Sequence, residues 1–183
     1  MAGRLNALPR CRGRRVSTLC YMTDALIPRA EHADLAAIVQ LRHEWTREED
    51  IAEIEDPDFE ENLAAWFARE WSRRIMWLAE EGGRPVGMMN LAIYERMPRP
   101  GRALSRWGYL GNVFVLAAYR NRGIGSRLVS AALNYADQNG FARVVLSPTE
   151  RSIPLYERVG FGPADALMLR PPQVPADSVS RPT

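Results

Sequence analysis

The seven residues Arg120-Asn121-Arg122-Gly123-Ile124-Gly125-Ser126 lie between a run of strand-forming residues and a long amphipathic stretch, and no other segment constrains the fold as much. Upstream, 107–115 reads as a strand, with Gly108 and Gly111 where a bulge or close backbone approach is tolerated. Downstream, Ile124, Leu128, Ala132 and Tyr135 trace a helical stripe that stops at Asn139-Gly140. Two glycines two apart at a helix start let the chain turn tightly and aim several N–H groups at one point, where the helix dipole adds positive potential. Such a turn is an anion site suited to a pyrophosphate, or else a glycine-rich turn that holds nothing. It is not the dinucleotide fingerprint, because Gly123-x-Gly125-x-x-Leu128 lacks the third glycine.

The flanking elements alternate. A short strand is expected at 25–29, and a helix from Glu31 through Trp45 with Leu35, Ile38, Val39, Leu41 and Trp45 on its apolar side. A second helix should start at Asp58 as N-cap, with Glu61 completing a capping box and Phe59, Leu63, Trp66, Phe67 and Trp71 facing inward. Strands at 75–80 and 85–93, joined by Glu81-Gly82-Gly83-Arg84, read as an antiparallel hairpin. After the glycine turn and its helix come a strand at 142–147, a helix through Tyr156 stopped by Gly160, and a last strand at 166–169. This is an α/β or α+β domain with one mixed sheet.

Composition narrows the chemistry. All 24 basic residues are arginine, so a Walker phosphate loop, a kinase site and a pyridoxal Schiff base are excluded. The two cysteines, Cys11 and Cys20, are too few for a disulfide framework or a four-ligand zinc site, so a reducing compartment is expected. The longest apolar run, 113–119, has seven residues against the roughly 20 that span a bilayer. The net charge of +2 conceals a division. Residues 1–21 hold five arginines and no acid, while the chain from Met22 onward has 19 arginines against 22 acids, so no basic nucleic-acid face is implied for the domain. Residues 1–21 read as a transit peptide, a basic arm or an extension upstream of a start at Met22, and the last is preferred because a strand follows directly. The lysine-free composition suggests a GC-rich bacterial genome and a cytoplasmic protein. Residues 22–170 form the domain, and 171–183, with four prolines, read as a disordered tail.

The glycine turn resembles the Arg/Gln-x-x-Gly-x-Gly/Ala motif of the Gcn5-related N-acetyltransferase (GNAT) family, with Arg120, Gly123 and Gly125 fitting without a gap. Downstream, Ser152-Ile153-Pro154-Leu155-Tyr156-Glu157-Arg158-Val159-Gly160-Phe161 is similar to that family's Ala-x-x-Leu-Tyr-Glu-x-x-Gly-Phe signature, and Arg29-Ala30-x-x-x-Asp34 looks like its first strand and helix opening. The resemblance implies a mixed, mostly antiparallel sheet of about six to seven strands flanked by about four helices and splayed between the fourth and fifth strands. It implies acetyl-CoA as donor, with Val113, Phe114 and Val115 offering backbone groups to the pantetheine arm. The pyrophosphate would sit on the amides of Arg120, Asn121, Arg122, Gly123, Ile124, Gly125 and Ser126. Thr149 stands where family members often carry a cofactor-contacting Asn. No carboxylate occurs between Trp107 and Tyr119, so the glutamate base some members place on the fourth strand is absent.

In the same resemblance the Tyr156 hydroxyl lies beside the cofactor sulfur and can protonate the departing thiolate, with a backbone amide near Val115 as oxyanion donor. Without it, Tyr156 is an aromatic packed on the sheet. Ten acids in the eighteen residues 44–61 make either a solvated face or a border of the acceptor site that attracts a cationic amine. His32 and His43 show no third ligand, so no metal is expected. Trp66, Phe67 and Trp71 read as helix core. The function implied is direct acetyl transfer to a primary amine of a small molecule or peptide by a monomer or homodimer, with no nucleic acid or membrane partner. A non-catalytic CoA-sensing or partner-binding module is the alternative.

Overall fold

The computed structural model describes residues 25–49 and 55–170. The leader, the Met22 start, the tail and residues 50–54 lie outside them. Four strands form one sheet in the order β1 (Arg74–Glu81), β2 (Arg84–Glu95), β3 (Arg106–Val115), β4 (Val144–Val145). The first two pairings are antiparallel and the third is parallel. The helices are α1 (Leu35–Glu48), α2 (Phe59–Glu70), α3 (Ile124–Gln138) and α4 (Ile153–Arg158).

The β1–β2 hairpin turns at Gly82 and Gly83, with φ of 60° and 76°. Positive φ at both central positions is what a two-residue turn needs to match the strand twist. Residues 25–30 run along the outer edge of β1: Leu26 and Glu80 exchange N–H···O bonds of 2.8 and 2.9 Å, and the Ala30 N–H donates to Met76 at 2.9 Å. This segment forms only isolated bridges instead of the expected strand. Pro28 interrupts it, accepting from the Leu78 N–H at 3.1 Å but having no N–H to return.

The expected six to seven strands are four among the described residues. Residues 142–147 contract to the two-residue β4, and 166–169 form no ladder, with Met168 and Leu169 fully exposed. A strand is held by its neighbours, and β4 has one on a single side for two residue pairs. The Asp58–Glu61 capping box also does not form, for Asp58 makes no side-chain cap bond. Its backbone is already helical, at φ −94° and ψ −1°, and its N–H is taken by the Asp56 carboxylate at 3.2 Å.

Side chains alternate across the sheet. Met76, Met88 and Asn90 face α1 and α2, while Trp77 meets Tyr135 of α3 on the other side. Leu78, Val86, Met89, Leu91, Leu128 and Val129 are fully buried, each contributing about 1.5–3 kcal/mol of burial free energy. Asn90 is the one buried polar residue among those described; its Oδ1 accepts from Arg74 Nη1 at 3.1 Å, and its Nδ2 has no partner there.

Candidate active site

β3 creates the site by losing a neighbour. Gly108 and Tyr109 pair with Val144 and Val145, and from Leu110 onward no ladder joins β3 to β4. On its other side β3 stays paired with β2 through a bulge, in which Asn112 and Val113 together oppose Met89 and Asn112 adopts φ 55°. Gly87 lets the two strands stay close beyond the bulge, for a Cβ there would lie 2.8 Å from the Phe114 carbonyl oxygen. Val113 and Val115 are half-buried, and Phe114 is a core side chain stacked on Trp45 at 5.3 Å, so this stretch offers the opening its backbone rather than its phenyl ring.

The chain then passes through a short 3₁₀ turn, Ala117–Tyr119, into the glycine loop. Gly123 is the N-cap of α3 at φ 79°, and a Cβ built on it would meet nothing within 4 Å. The Arg127 N–H closes the first helical bond on Gly123 at 3.0 Å, leaving the first-turn N–H groups without intrahelical partners. The loop is therefore an open, positively polarised cradle. Ile124 fixes it from below as a buried core residue; Asn121 stands exposed at φ 61°, and Ser126 is half-buried on α3.

The two loop arginines point away from the anion role. Arg120 Nε donates to the Val115 carbonyl at 2.8 Å, and its Nη2 pairs with Glu48 of α1. The other Glu48 oxygen accepts from the Ala117 N–H at 3.0 Å. Arg122 forks onto Glu81 of the hairpin, with Nη1 at 3.1 Å from Oε2. Their guanidinium groups brace the loop. Gly125 also acts through packing: a Cβ there would sit 2.9 Å from Leu155 Cδ1, so the missing side chain lets α4 approach the first turn of α3.

That approach positions Tyr156. Its ring packs edge-on against Phe161 at 5.8 Å, and its hydroxyl pKa is raised by burial and, secondarily, by the Tyr109 phenol. Tyr109 is the last β3 residue paired with β4. A raised pKa keeps the hydroxyl protonated at neutral pH, the state a proton donor needs. The Thr149 hydroxyl donates to Ser152 Oγ at 3.1 Å, and Ser152 in turn donates to the Thr149 carbonyl at 2.8 Å. Thr149 is thus occupied in shaping the turn before α4.

On the α1–α2 face, a cavity of about 150 Å³ is lined by Ile38, Arg42, Leu63, Trp66, Met76, Met88 and Asn112 of the bulge. A larger groove of about 340 Å³, which includes Arg29, Glu95, Arg106 and Tyr135, lies at the opposite end of β3 from the glycine loop. Within the acidic stretch Glu44 pairs with Arg47 at 2.9 Å, Glu48 with Arg120, and Glu49 accepts from Trp45 Nε1 at 2.6 Å. His43 lies 3.9 Å from Glu60, and His32 packs against Trp71 at 4.1 Å; no group of three metal-ligating side chains occurs among the described residues. Sequence reasoning took Glu48 only as part of the acidic stretch and did not single out Tyr109 or Arg42. Only Arg42 carried a local signal, as a charged residue four positions after Ile38 and three before Trp45 on the inward side of α1.

The model of the Acetyltransferase (GNAT) family matches residues 37–161. A glucosamine 6-phosphate N-acetyltransferase of Trypanosoma brucei brucei is 28% identical over 131 residues, covering 72% of this chain and 84% of that protein. A solved GCN5-related N-acetyltransferase from Ralstonia eutropha JMP134 is 31% identical with a TM-score of 0.61, covering 80% of this chain and 97% of that one. A predicted acetyltransferase from Clostridium acetobutylicum, solved with acetyl-CoA, shares the fold at 20% identity and TM-score 0.65, covering 80% and 96%. The chain belongs to the GNAT family of N-acetyltransferases, whose acyl donor is acetyl-CoA. The open cradle at Gly123 and the unpaired edge of β3 fit that donor.

Proposed function

We propose that this enzyme transfers an acetyl group directly to a primary amine, with both substrates held in one complex across the gap between β3 and β4. Acetyl-CoA supplies an activated thioester carbonyl. The amides of 120–126 hold its pyrophosphate, and the backbone of Val113, Phe114 and Val115 lines its pantetheine arm. Bound from that side, the donor presents its carbonyl to the α1–α2 face, where the bulge at Asn112 opens to solvent.

Tyr156 gives the proton that the sulfur takes as the C–S bond breaks. The observation that supports this reading is a half-buried Tyr156 on α4, which Gly125 lets approach the first turn of α3, with a hydroxyl pKa raised by burial. The amine proton passes to water, as β3 brings no carboxylate to the gap. The amine lies on a small molecule or peptide. Of the acids expected to attract a cationic acceptor, Glu44, Glu48 and Glu49 have partners within the protein.

An acceptor screen that measures free thiol released from acetyl-CoA tests the proposal. Thiol release that depends on an added amine, with a matching acetylated product by mass spectrometry, supports it. A Tyr156→Phe variant that turns over as fast as the parent, with chemistry rate-limiting, would remove the proton-donor role.

A further inference from the structure

We infer that Arg42 is the residue that selects the acceptor: the amine acetylated here carries an oxyanion, a carboxylate or phosphoryl group, which Arg42 holds in the cavity between α1 and α2. The inference rests on the acetyltransferase reading above and names its acceptor class.

Among the described residues Arg42 supplies the only charge lining that cavity, whose walls are otherwise Ile38, Leu63, Trp66, Met76, Met88 and Asn112. Four other arginines bordering the two helices and the loop are held by acids: Arg47 by Glu44, Arg74 by Glu70 at 2.9 Å, Arg120 by Glu48 and Arg122 by Glu81. No ion pair engages Arg42 among the described residues. A charged side chain half-buried beside apolar walls without a counter-ion is costly unless a ligand supplies one.

Its geometry is fixed. The guanidinium lies 4.8 Å over the Trp45 ring, and Trp45 in turn stacks on Phe114 at 5.3 Å and 5° between planes. A cation held over a ring face keeps guanidinium N–H donors that can meet a planar or tetrahedral oxyanion. Because Phe114 belongs to the stretch assigned to the donor, the stack also registers Arg42 against that stretch.

The cavity's size and floor agree. At about 150 Å³ it holds an oxyanion group and a few carbons. The rest of the acceptor must leave past Asn112, which is exposed at the bulge. Asn90, the buried residue with an unpartnered Nδ2 donor, pairs across the sheet with Met76 and lies two residues from Met88, both of the cavity floor.

Two matched pairs of amines test this: glucosamine 6-phosphate against glucosamine, and methionine against methioninamide, for the phosphoryl and carboxylate cases. Binding to the full chain is measured by calorimetry in the presence of CoA, and acetylation is measured separately. In at least one pair the anionic member should bind about tenfold or more tightly, and Arg42→Met, which keeps the side-chain stem, should abolish that advantage while leaving the uncharged member within about twofold. Arg42→Lys, keeping the charge without the fork, should retain part of it. Equal affinity within both pairs, or an anion preference that survives Arg42→Met, overturns the inference. Anion-selective binding lost in Arg42→Met without any acetyl transfer would uphold it and count against the proposed activity instead.

Discussion

Glu48, the last residue of α1, holds the guanidinium of Arg120, the first residue of the glycine loop, 72 positions further along the chain. With its second oxygen the same carboxylate accepts from the Ala117 N–H. One acidic side chain therefore ties the helix bordering the proposed acceptor cavity to the glycine loop proposed to hold the donor.

Breaking that tie should be felt on the donor side. Glu48→Gln keeps the shape but weakens two charge-assisted contacts, and a stability loss of about 1–2 kcal/mol is expected. The Michaelis constant for acetyl-CoA should rise several-fold, and more in Glu48→Arg, which sets two guanidinium groups against each other. Steady-state kinetics with either substrate varied would show the effect; a change confined to the acceptor constant would mean that Glu48 borders the acceptor alone.

Gly123 and Gly82 separate backbone strain from ligand contact. Both have positive φ, and a Cβ on either meets no protein atom within 4 Å. Alanine at either site should cost about 1–2 kcal/mol of stability from the left-handed conformation. Only Gly123→Ala should also weaken acetyl-CoA binding, by about tenfold, because its methyl group enters the space taken by phosphate. Calorimetry and thermal melts on the two variants decide it, and equal affinities would clear Gly123 of a phosphate-binding role.

The direction of the Tyr156 shift fixes a pH signature. Its hydroxyl is raised above the ordinary value of 10.0, so the proton-bearing form persists through pH 7 to 9 and is lost only as pH rises beyond that value. The rate constant for chemistry should show no decline attributable to Tyr156 below about pH 10. Tyr156→Phe should lower it by roughly 10²-fold, the small end of the range for a positioned acid, because a thiolate is a fair leaving group unaided. Pre-steady-state rates across pH provide the check, and a falling limb centred near pH 8 that vanishes in the Phe variant would contradict the raised pKa.

Gly87→Ala should strike the bulge. The new methyl group would lie 2.8 Å from the Phe114 carbonyl and 3.2 Å from Val115 Cγ2, and the main-chain oxygen cannot swing aside as a side chain can. We expect a loss of about 1–3 kcal/mol, typical of overpacking, with a larger proportional loss of turnover because β3 shifts at its unpaired end. Denaturant titration alongside activity would reveal it; an unchanged midpoint would show that the strands part there without cost.

What the sequence disclosed and what it withheld divide by range. The glycine loop, the Gly82-Gly83 turn and the α3 stripe depend on residues a few positions apart, and all three form where the spacing puts them. The strand expected at 142–147 depended on neighbours that no local pattern encodes, so Val144-Val145-Leu146 looked like a buried strand and is only half-buried. The Asp58–Glu61 box failed to a rival two residues away, since the Asp56 carboxylate reached the Asp58 N–H. Arg120 was legible as part of a motif but not as a brace, because its partner lies on another helix. Arg42 escaped notice because a charge on an apolar stripe stands out only once the opposite wall is known.

The edge of β3 left bare beyond Tyr109 has a thermodynamic consequence. In most sheets an exposed run of backbone invites another chain, and folding alone must cover it or leave it wet. In the reading proposed above, the donor lies along that edge and takes part in holding this half of the sheet together. A donor present at a hundred times its dissociation constant adds about 2.7 kcal/mol to the folded state. On that reading the protein resists unfolding more with its donor bound than without it.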